Sequence, residues 1–401
     1  MLLGLGFDGG DSPQGGCTTH LTLLALHVLE QDGIDPVDYP WLIRLNPSIP
    51  FKTRGNGATA LWLQVDTRHE AERIVSLLSR LVADYAEASG AGRKAALVAL
   101  LYNDDEFPPS DPALTRLYWM SLRSYVPARV AREYLTASTA TLLYAAGESI
   151  TGASAALGAR LDYDHTFELL VYMPPRFWGS RPTLEPTIIA EIDYALGPHS
   201  IATFDYSTGR PLIQPHGPDP VYAGIRSEED KPLLSALKII ASSLDSEGFE
   251  ALVYRTNQHT GVHITSRLVG ELRVYTCARV EGRITRVEKL PGGHFLAMLC
   301  DHTGCIDAVA YRETGIPKKL ERMNELVGSL ATIEGCVKPH RDKATLNTER
   351  VFLDTRETRL SFEPLPSAWH HLYEPLSRAA RVSRPRGLRR PLTRLYKPYL
   401  L

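Results

Sequence analysis

Three short stretches of this chain carry side chains suited to handling a nucleotide. FDGGDSPQGGCTTHL places Asp8 directly after an apolar run and Asp11 three residues later. Carboxylates so spaced on a loop can hold Mg2+, an ion that keeps several waters and bridges to phosphate oxygens. Gly9, Gly10, Gly15 and Gly16 let a ligand approach the backbone. Thr18 and Thr19 stand where a helix is expected to begin, and free amides there attract phosphate. A threonine hydroxyl in that place could also accept a phosphoryl group. An Asx-rich turn closed by a helix cap would use the same residues, and composition does not choose between the two.

The second stretch, PWLIRLNPSIPFKTRGNGATALWL, brings together the cations Arg44, Lys52 and Arg54 and the neutral donors Asn46 and Asn56. Gly55 and Gly57 make its end a flexible turn. Cations and amides on a loop between strands suit triphosphate recognition and the charge that builds during phosphoryl transfer. A surface loop with solvated cations is the plain alternative. The third set is YRTNQHTGVHI, with Arg255, Asn257, Gln258, His259 and His263, and QPHGPDPVYAGIR, with Asp219 and Arg226. These polar residues around an expected strand and a tight loop could line a small-molecule or nucleobase pocket. For each histidine, ordinary packing is the competing reading.

The elements around these stretches are partly readable. Leu2–Phe7 reads as a buried strand and Asp8–Cys17 as a loop. Leu21, Leu24, Ala25, Val28 and Leu29 follow at helical spacing, with Thr18 or Thr19 as cap and Gly33 as stop. Trp41–Leu45 and Thr59–Val65 read as strands flanking the cationic segment, and His69–Ala88 as an amphipathic helix. Gly147–Gly158 is rich in small residues and leads to a strand at Thr166–Met173. Pro174, Pro175 and Pro182 mark a boundary or long connection. A helix at Pro232–Glu247 and a strand at Ala251–Arg255 follow. From Leu272 short β-rich runs alternate with turns: Arg273–Val280, His294–Cys300, Ile306–Ala310, Ser329–Val337 and Thr348–Leu353. Five strands with a helix-like insert at Lys318–Leu326 predict a small Greek-key barrel of the OB type.

The chain has 401 residues, 44% hydrophobic and 22% charged, enough for roughly two to four domains. Its net charge of −2 does not announce a nucleic-acid partner, so local charge must carry that argument. No apolar run is long enough to span a bilayer, and the N-terminus lacks the basic flank of a secretory signal. No membrane partner and a cytoplasmic location are therefore expected. Cys17, Cys277, Cys300, Cys305 and Cys336 are odd in number and scattered, which suits a reducing compartment. Cys300 and Cys305 read as two buried thiols on neighbouring strands rather than half of a metal site. After Glu374 there are no acids, while Arg378, Arg381, Arg384, Arg386, Arg389, Arg390, Arg394 and Lys397 accumulate with Tyr396 and Tyr399 close by. Such a tail could lie on RNA phosphates and stack on bases, or simply be solvated.

The nucleotide loop and the cationic loop resemble those of the archaeal tRNA 2-agmatinylcytidine synthetases, which act on the minor isoleucine tRNA. The resemblance extends to DHTFELLVYM (Asp164–Met173), QPHGPDPVYAGIR (Gln214–Arg226), YRTNQHTGVHI (Tyr254–Ile264) and LPGGHFLAMLCDHTGCIDAVAY (Leu290–Tyr311), running in the family's order from residue 1 to about Leu353. It implies a multidomain α/β plus β protein. The expected parts are an ATP-dependent kinase-like catalytic domain (1–160), a ferredoxin-like domain (161–268), an OB-fold tRNA-binding domain (269–358) and a basic tail (359–401) where the family has a zinc ribbon.

The resemblance further implies ATP, Mg2+, agmatine and the minor isoleucine tRNA as ligands, with no obligatory protein partner. The family uses ATP to phosphorylate the cytosine C2 oxygen, and the amine of agmatine then displaces phosphate. Asp8, Asp11 and Thr18 match the family's kinase centre, with Asp8 and Asp11 as Mg2+ ligands. Arg44, Lys52, Arg54, Asn56 and Gly57 are the nucleotide-binding candidates. Arg255, Asn257, Gln258, His263 and Asp219 are the substrate-binding candidates; the guanidinium of agmatine calls for a carboxylate, for which Asp219 is a candidate. Arg386, Arg389, Arg390 and Lys397 are candidates for RNA.

Three departures stand out. The family's loop usually reads Asp-Asp-Thr-Asp, and this chain reads Asp8-Gly9-Gly10-Asp11. Glu148-Ser149 stands where an Arg-Gly pair is common. No cysteine follows Cys336, so a four-thiolate ribbon cannot form and no zinc is expected. These departures leave a rival reading open: a family member that binds tRNA and has lost catalysis.

Overall fold

The computed structural model describes residues 1–50, 52, 55–162, 164–178, 183–205, 210–215, 220–244, 248–321, 326–340, 343–354, 359–362 and 399–400. The N-terminal half is a sheet sandwiched by helices. Strand β1 (Leu2–Asp8) is followed by α1 (Thr18–Gln31), β2 (Trp41–Arg44), β3 (Gly57–Gln64), α2 (Arg68–Ser89), β4 (Ala96–Tyr102), α3 (Pro112–Arg123), α4 (Ala128–Thr136), β5 (Thr141–Ala146) and α5 (Ile150–Leu157). Leu3, Leu5 and Phe7 pack under α1 and α2 on one face. Leu2, Trp41, Ile43, Trp62 and Val98 pack under α3, α4 and α5 on the other. Burial on both faces explains why β1 and β4 read as unbroken apolar runs rather than alternating ones. Helix α2 starts at Thr67, whose side chain accepts the Glu70 amide, and ends at Gly90 in the left-handed region.

The next unit comprises β6 (Thr166–Tyr172), α6 (Pro186–Leu196), β7 (Ser200–Ile201), a small hairpin of β8 (Phe204–Asp205) and β9 (Arg210–Pro211), β10 (Val221–Ser227), α7 (Lys231–Ser242) and β11 (Glu250–Thr256). It does not form a separate sheet. The strand order β5-β4-β1-β3-β2-β11-β6-β10-β7 is continuous. The junction is a short parallel pairing, Arg255 with Trp41 and Thr256 with Leu42. Helix α1 lies over this seam, because Leu170, Tyr172, Leu252 and Tyr254 share its apolar cluster. Helices α6 and α7 cover the opposite face of the second half. The proline-marked connection at Pro174–Pro182 lies inside this unit, between β6 and α6.

The barrel follows: β12 (Thr265–Ser266), β13 (Cys277–Leu290), β14 (His294–Asp301), β15 (Gly304–Ala310), α8 (Ile316–Leu320), β16 (Leu330–His340), β17 (Lys343–Asp354) and β18 (Arg359–Phe362). Strands β13-β14-β15-β17-β16 close through the β13–β16 pairing, with β15 and β17 parallel. This is the five-stranded barrel expected from the sequence, with the helical insert beginning at Ile316. Strand β19 (Tyr399–Leu400) returns to pair with Glu250 and Ala251 of β11.

Two expectations need correction. Cys300 and Cys305 do lie on neighbouring strands, but they are disulfide-bonded, and Cys305 is exposed. Cys277 and Cys336 are bonded as well, facing each other across β13 and β16. Direct cross-strand placement, which spacing along the chain does not reveal, brings each pair together. The helix expected at Pro232–Glu247 ends at Ser242. The tail candidates Arg386, Arg389, Arg390 and Lys397 lie outside the described residues, as do Arg54 and Asp219.

Candidate nucleotide and substrate site

Strand β1 ends at Asp8, and the chain turns through Gly9 into the loop that feeds α1. Neither threonine caps α1. Cys17 holds the cap position and its own side chain makes no cap hydrogen bond, so the positive end of a fourteen-residue helix faces the loop. Thr18 instead knits the loop to the helix. Its hydroxyl accepts the Gly10 amide at 3.1 Å and donates to Asp11 Oδ2 at 3.4 Å. Thr18 and Asp11 are both buried.

Asp8 is held differently. Its Oδ1 accepts the Gly9 amide at 2.6 Å, and α5 presses against its other oxygen. A Cβ added to Gly152 would stand 1.9 Å from Asp8 Oδ2, so glycine in the small-residue stretch is what lets this helix approach the carboxyl. Burial pushes the Asp8 acid up to about 8; the Gly9 hydrogen bond opposes this and the nearby Asp11 charge adds to it. Asp8, desolvated and beside the charge of Asp11, forms with it a donor set suited to a divalent cation, whose charge would offset the cost of ionising Asp8. Glycine at position 9 has a structural reason too. Its φ is +73°, and a Cβ there would lie 2.3 Å from the Lys94 carbonyl oxygen.

Beside Thr18, a cavity of about 210 Å3 is lined from both halves of the continuous sheet. Asp11, Thr18, Arg44 and Gly57 line it from the N-terminal half, and Glu168, Gln214 and Arg226 from the second half. Glu168 is buried on β6 between two guanidinium groups. Arg226 donates to its Oε1 at 3.1 Å and Arg44 to its Oε2 at 3.3 Å. The three side chains leave one net positive charge facing the cavity. Glu168 is not among the residues that the sequence marks as functional. The available signal is a lone acid in the apolar strand TFELLVY, since a buried carboxylate requires partners.

The YRTNQHTGVHI residues mostly build the seam. Arg255 is completely buried, donating to Asp38 Oδ1 at 3.0 Å and sharing a hydrogen bond with His165 Nε2 at 2.8 Å, between the rings of Tyr39 and Phe167. It does not line the cavity. Asn257 clamps the backbone of Arg44, accepting its amide at 2.8 Å and donating to its carbonyl at 2.9 Å. Gln258 accepts from Arg44 Nε at 3.0 Å. Both therefore aim Arg44 rather than stand in the cavity wall. Asn56 occupies the left-handed region and donates to the Asn46 carbonyl, closing the loop between β2 and β3. Lys52, half-buried, is lowered from its usual value by burial and by the charge of Lys338 on β16 of the barrel. His263 meets Glu349 of the barrel at 3.4 Å, away from the cavity.

The chain matches the TiaS TCKD domain family over residues 5–97 and the TiaS FLD domain family over residues 147–263. The isoleucine-tRNA 2-agmatinylcytidine synthetase TiaS of Hyperthermus butylicus is 39% identical over 414 aligned residues, covering 96% of this chain and 94% of the relative. That of Thermofilum pendens is 32% identical over 355 residues, covering 86% and 77%. The crystal structure of TiaS in complex with its isoleucine tRNA and ATP superposes with a TM-score of 0.74 at 26% identity, covering 88% of this chain and 81% of that one. Apo TiaS, at 22% identity, has the same fold, with a TM-score of 0.75 over 98% of both chains. This chain belongs to the TiaS family, the 2-agmatinylcytidine synthetases of isoleucine tRNA.

Proposed function

We propose that this chain is an ATP-dependent RNA-modifying ligase that joins agmatine to C2 of the wobble cytidine of the minor isoleucine tRNA. The supporting observation is a cavity that gathers the Asp11–Thr18 pair, the first residues of α1 and the cations Arg44 and Arg226. The chemistry requires that the C2 oxygen, a poor leaving group, be phosphorylated by ATP so that the amine of agmatine can displace phosphate. The amides of α1 and the guanidinium of Arg44 stabilise the charge of the phosphoryl group in flight. Asp11 orients the Thr18 hydroxyl beside it. Asp8 and Asp11 are the residues that would hold Mg2+, which when bound neutralises phosphate charge. Glu168 fixes Arg44 and Arg226 in place, and Asp219 is the carboxylate we assign to the guanidinium of agmatine. We assign tRNA contacts to the barrel and to Arg386, Arg389, Arg390 and Lys397, in a cytoplasmic protein.

The test is incubation with ATP, labelled agmatine and the isoleucine tRNA. Stoichiometric label in the RNA, with phosphate release, supports the ligase. One observation favours a second reading, a tRNA-binding member without catalysis: the backbone at Gly9 excludes the carboxylate the family usually carries there. Tight tRNA binding without label incorporation would establish that reading instead.

A further inference from the structure

At the end of the barrel that meets the rest of the molecule, four donor side chains from four separate segments converge. His263 comes from the connection after β11, Cys277 from β13, Cys336 from β16 and Glu349 from β17. The donor atoms of His263, Cys336 and Glu349 all lie within 4.8 Å of one another. His263 Nε2 is 3.4 Å from Glu349 Oε2, and Cys336 Sγ is 3.5 Å from Glu349 Oε1. The fourth donor, Cys277, is bonded to Cys336. Cys277 and Cys336 are buried, whereas His263 and Glu349 reach the surface, giving an ion a path in.

We propose that the dithiol form of Cys277 and Cys336, together with His263 and Glu349, is a tetrahedral zinc-class metal site. Two thiolates, an imidazole and a carboxylate are among the ligand types that Zn2+ takes. This donor set is unrelated to a four-thiolate ribbon, whose cysteines the chain lacks. The disulfide and the metal exclude each other. A dithiol reductant gives two electrons and two protons to the Cys277–Cys336 bond and leaves as its own cyclic disulfide. The ion then displaces the two thiol protons to water. A dithiolate and a carboxylate around a divalent ion carry one net negative charge. Arg350 and Lys338 lie near enough to act on Glu349 and offset it.

The location gives the site a purpose. Asn46, on the segment after β2, donates to the Tyr275 carbonyl just before β13. His263 sits on the connection between the central sheet and the barrel. An ion there would tie that connection to three barrel strands, a cross-link that the disulfide, which joins β13 only to β16, does not supply.

The experiment uses the full chain, with Cys300→Ser and Cys305→Ser to remove the other dithiol. The protein is reduced anaerobically, freed of reductant and titrated with Co2+ alone. The expected result is one ion per chain, with thiolate-to-cobalt charge-transfer absorption and tetrahedral d–d bands that Zn2+ bleaches. The oxidised protein should give neither. Cys336→Ser should abolish the charge-transfer bands. His263→Ala and Glu349→Gln should each weaken binding by more than the roughly 10–100-fold that loss of an outer-shell partner produces. A second measurement needs no substitution: in the reduced native chain, Zn2+ should slow alkylation of Cys277 and Cys336 at least about tenfold and leave Cys300 and Cys305 unprotected. Absence of the charge-transfer band together with absence of selective protection would overturn the proposal. So would tight binding that His263→Ala and Glu349→Gln both leave unchanged. Ligase activity enters neither readout, so failure here is separable from failure of the functional reading.

Discussion

The Thr18 hydroxyl stands 3.4 Å from the Asp11 carboxylate, locking the glycine-rich loop onto the first turn of the helix behind it. Asp11→Asn keeps the shape and removes the charge. We predict at least a tenfold loss of Mg2+-dependent ATP turnover, about 1.4 kcal/mol of transition-state stabilisation. Turnover equal to wild type at both limiting and saturating Mg2+ would remove Asp11 from the catalytic machinery.

Glu168 is the anion shared by Arg44 and Arg226, and its side chain is almost fully buried. Glu168→Gln would leave two guanidinium groups facing each other without a counter-charge. Removing one partner from such a buried set destabilises by about 3 kcal/mol. Urea unfolding should show this, and Arg226→Met in the same chain should recover part of it. A change within about 0.5 kcal/mol would mean that solvent already screens the trio.

The acid of Asp8 sits at about 8 in the fold against 3.8 in its absence. Between those values the unfolded chain has lost the proton and the folded chain retains it, so rising pH favours unfolding. The contribution of the buried neutral acid is whole below the lower value and disappears as pH climbs through the upper one. Thermal melts of metal-free protein should therefore fall in midpoint from about pH 4 to pH 8, and Asp8→Asn should flatten the trend. Added Mg2+ should restore the midpoint at the alkaline end. A wild-type profile as flat as that of the variant would contradict the burial argument.

Reinstating the family's second loop aspartate is expected to do harm. At Gly9 the backbone is left-handed and a Cβ would meet the Lys94 carbonyl at 2.3 Å and Ser149 Oγ at 2.4 Å. Gly9→Asp should lower stability by about 1–3 kcal/mol and add no activity. A gain in ligation without a loss in melting temperature would show that the loop has another conformation.

Sequence patterning made visible the parts whose burial is one-sided or whose strands recur at short intervals. The barrel strands and α2 fall in this class, and β1 was legible as an unbroken apolar run. Helix α5 was not, because ITGASAAL carries a glycine and β-branched residues in its first turn, and its glycine serves the approach to Asp8 rather than helix formation. The residue types of the Asp11–Thr18 loop mark it as a candidate site, and the structure brings the two side chains together. The partners that aim Arg44 were legible only as polar residues, since Asn257 and Glu168 reach it from more than a hundred residues away. Arg255 looked like a ligand group for the same reason: a charged residue beside a strand gives no sign that Asp38 and His165 will bury it.

Strand β2 covers only the Arg255–Thr256 end of β11, and Tyr399–Leu400 completes the other end of that edge. The chain that carries Arg386, Arg389, Arg390 and Lys397 thus leaves from the barrel at Phe362 and is moored again on the central sheet. Under the proposed RNA role of these cations, fixing both ends of the segment narrows the volume it can sample and so raises its effective concentration at an RNA on the barrel. Clipping off the last three residues would then be felt as lost avidity, seen as weaker tRNA binding with every arginine still in the chain.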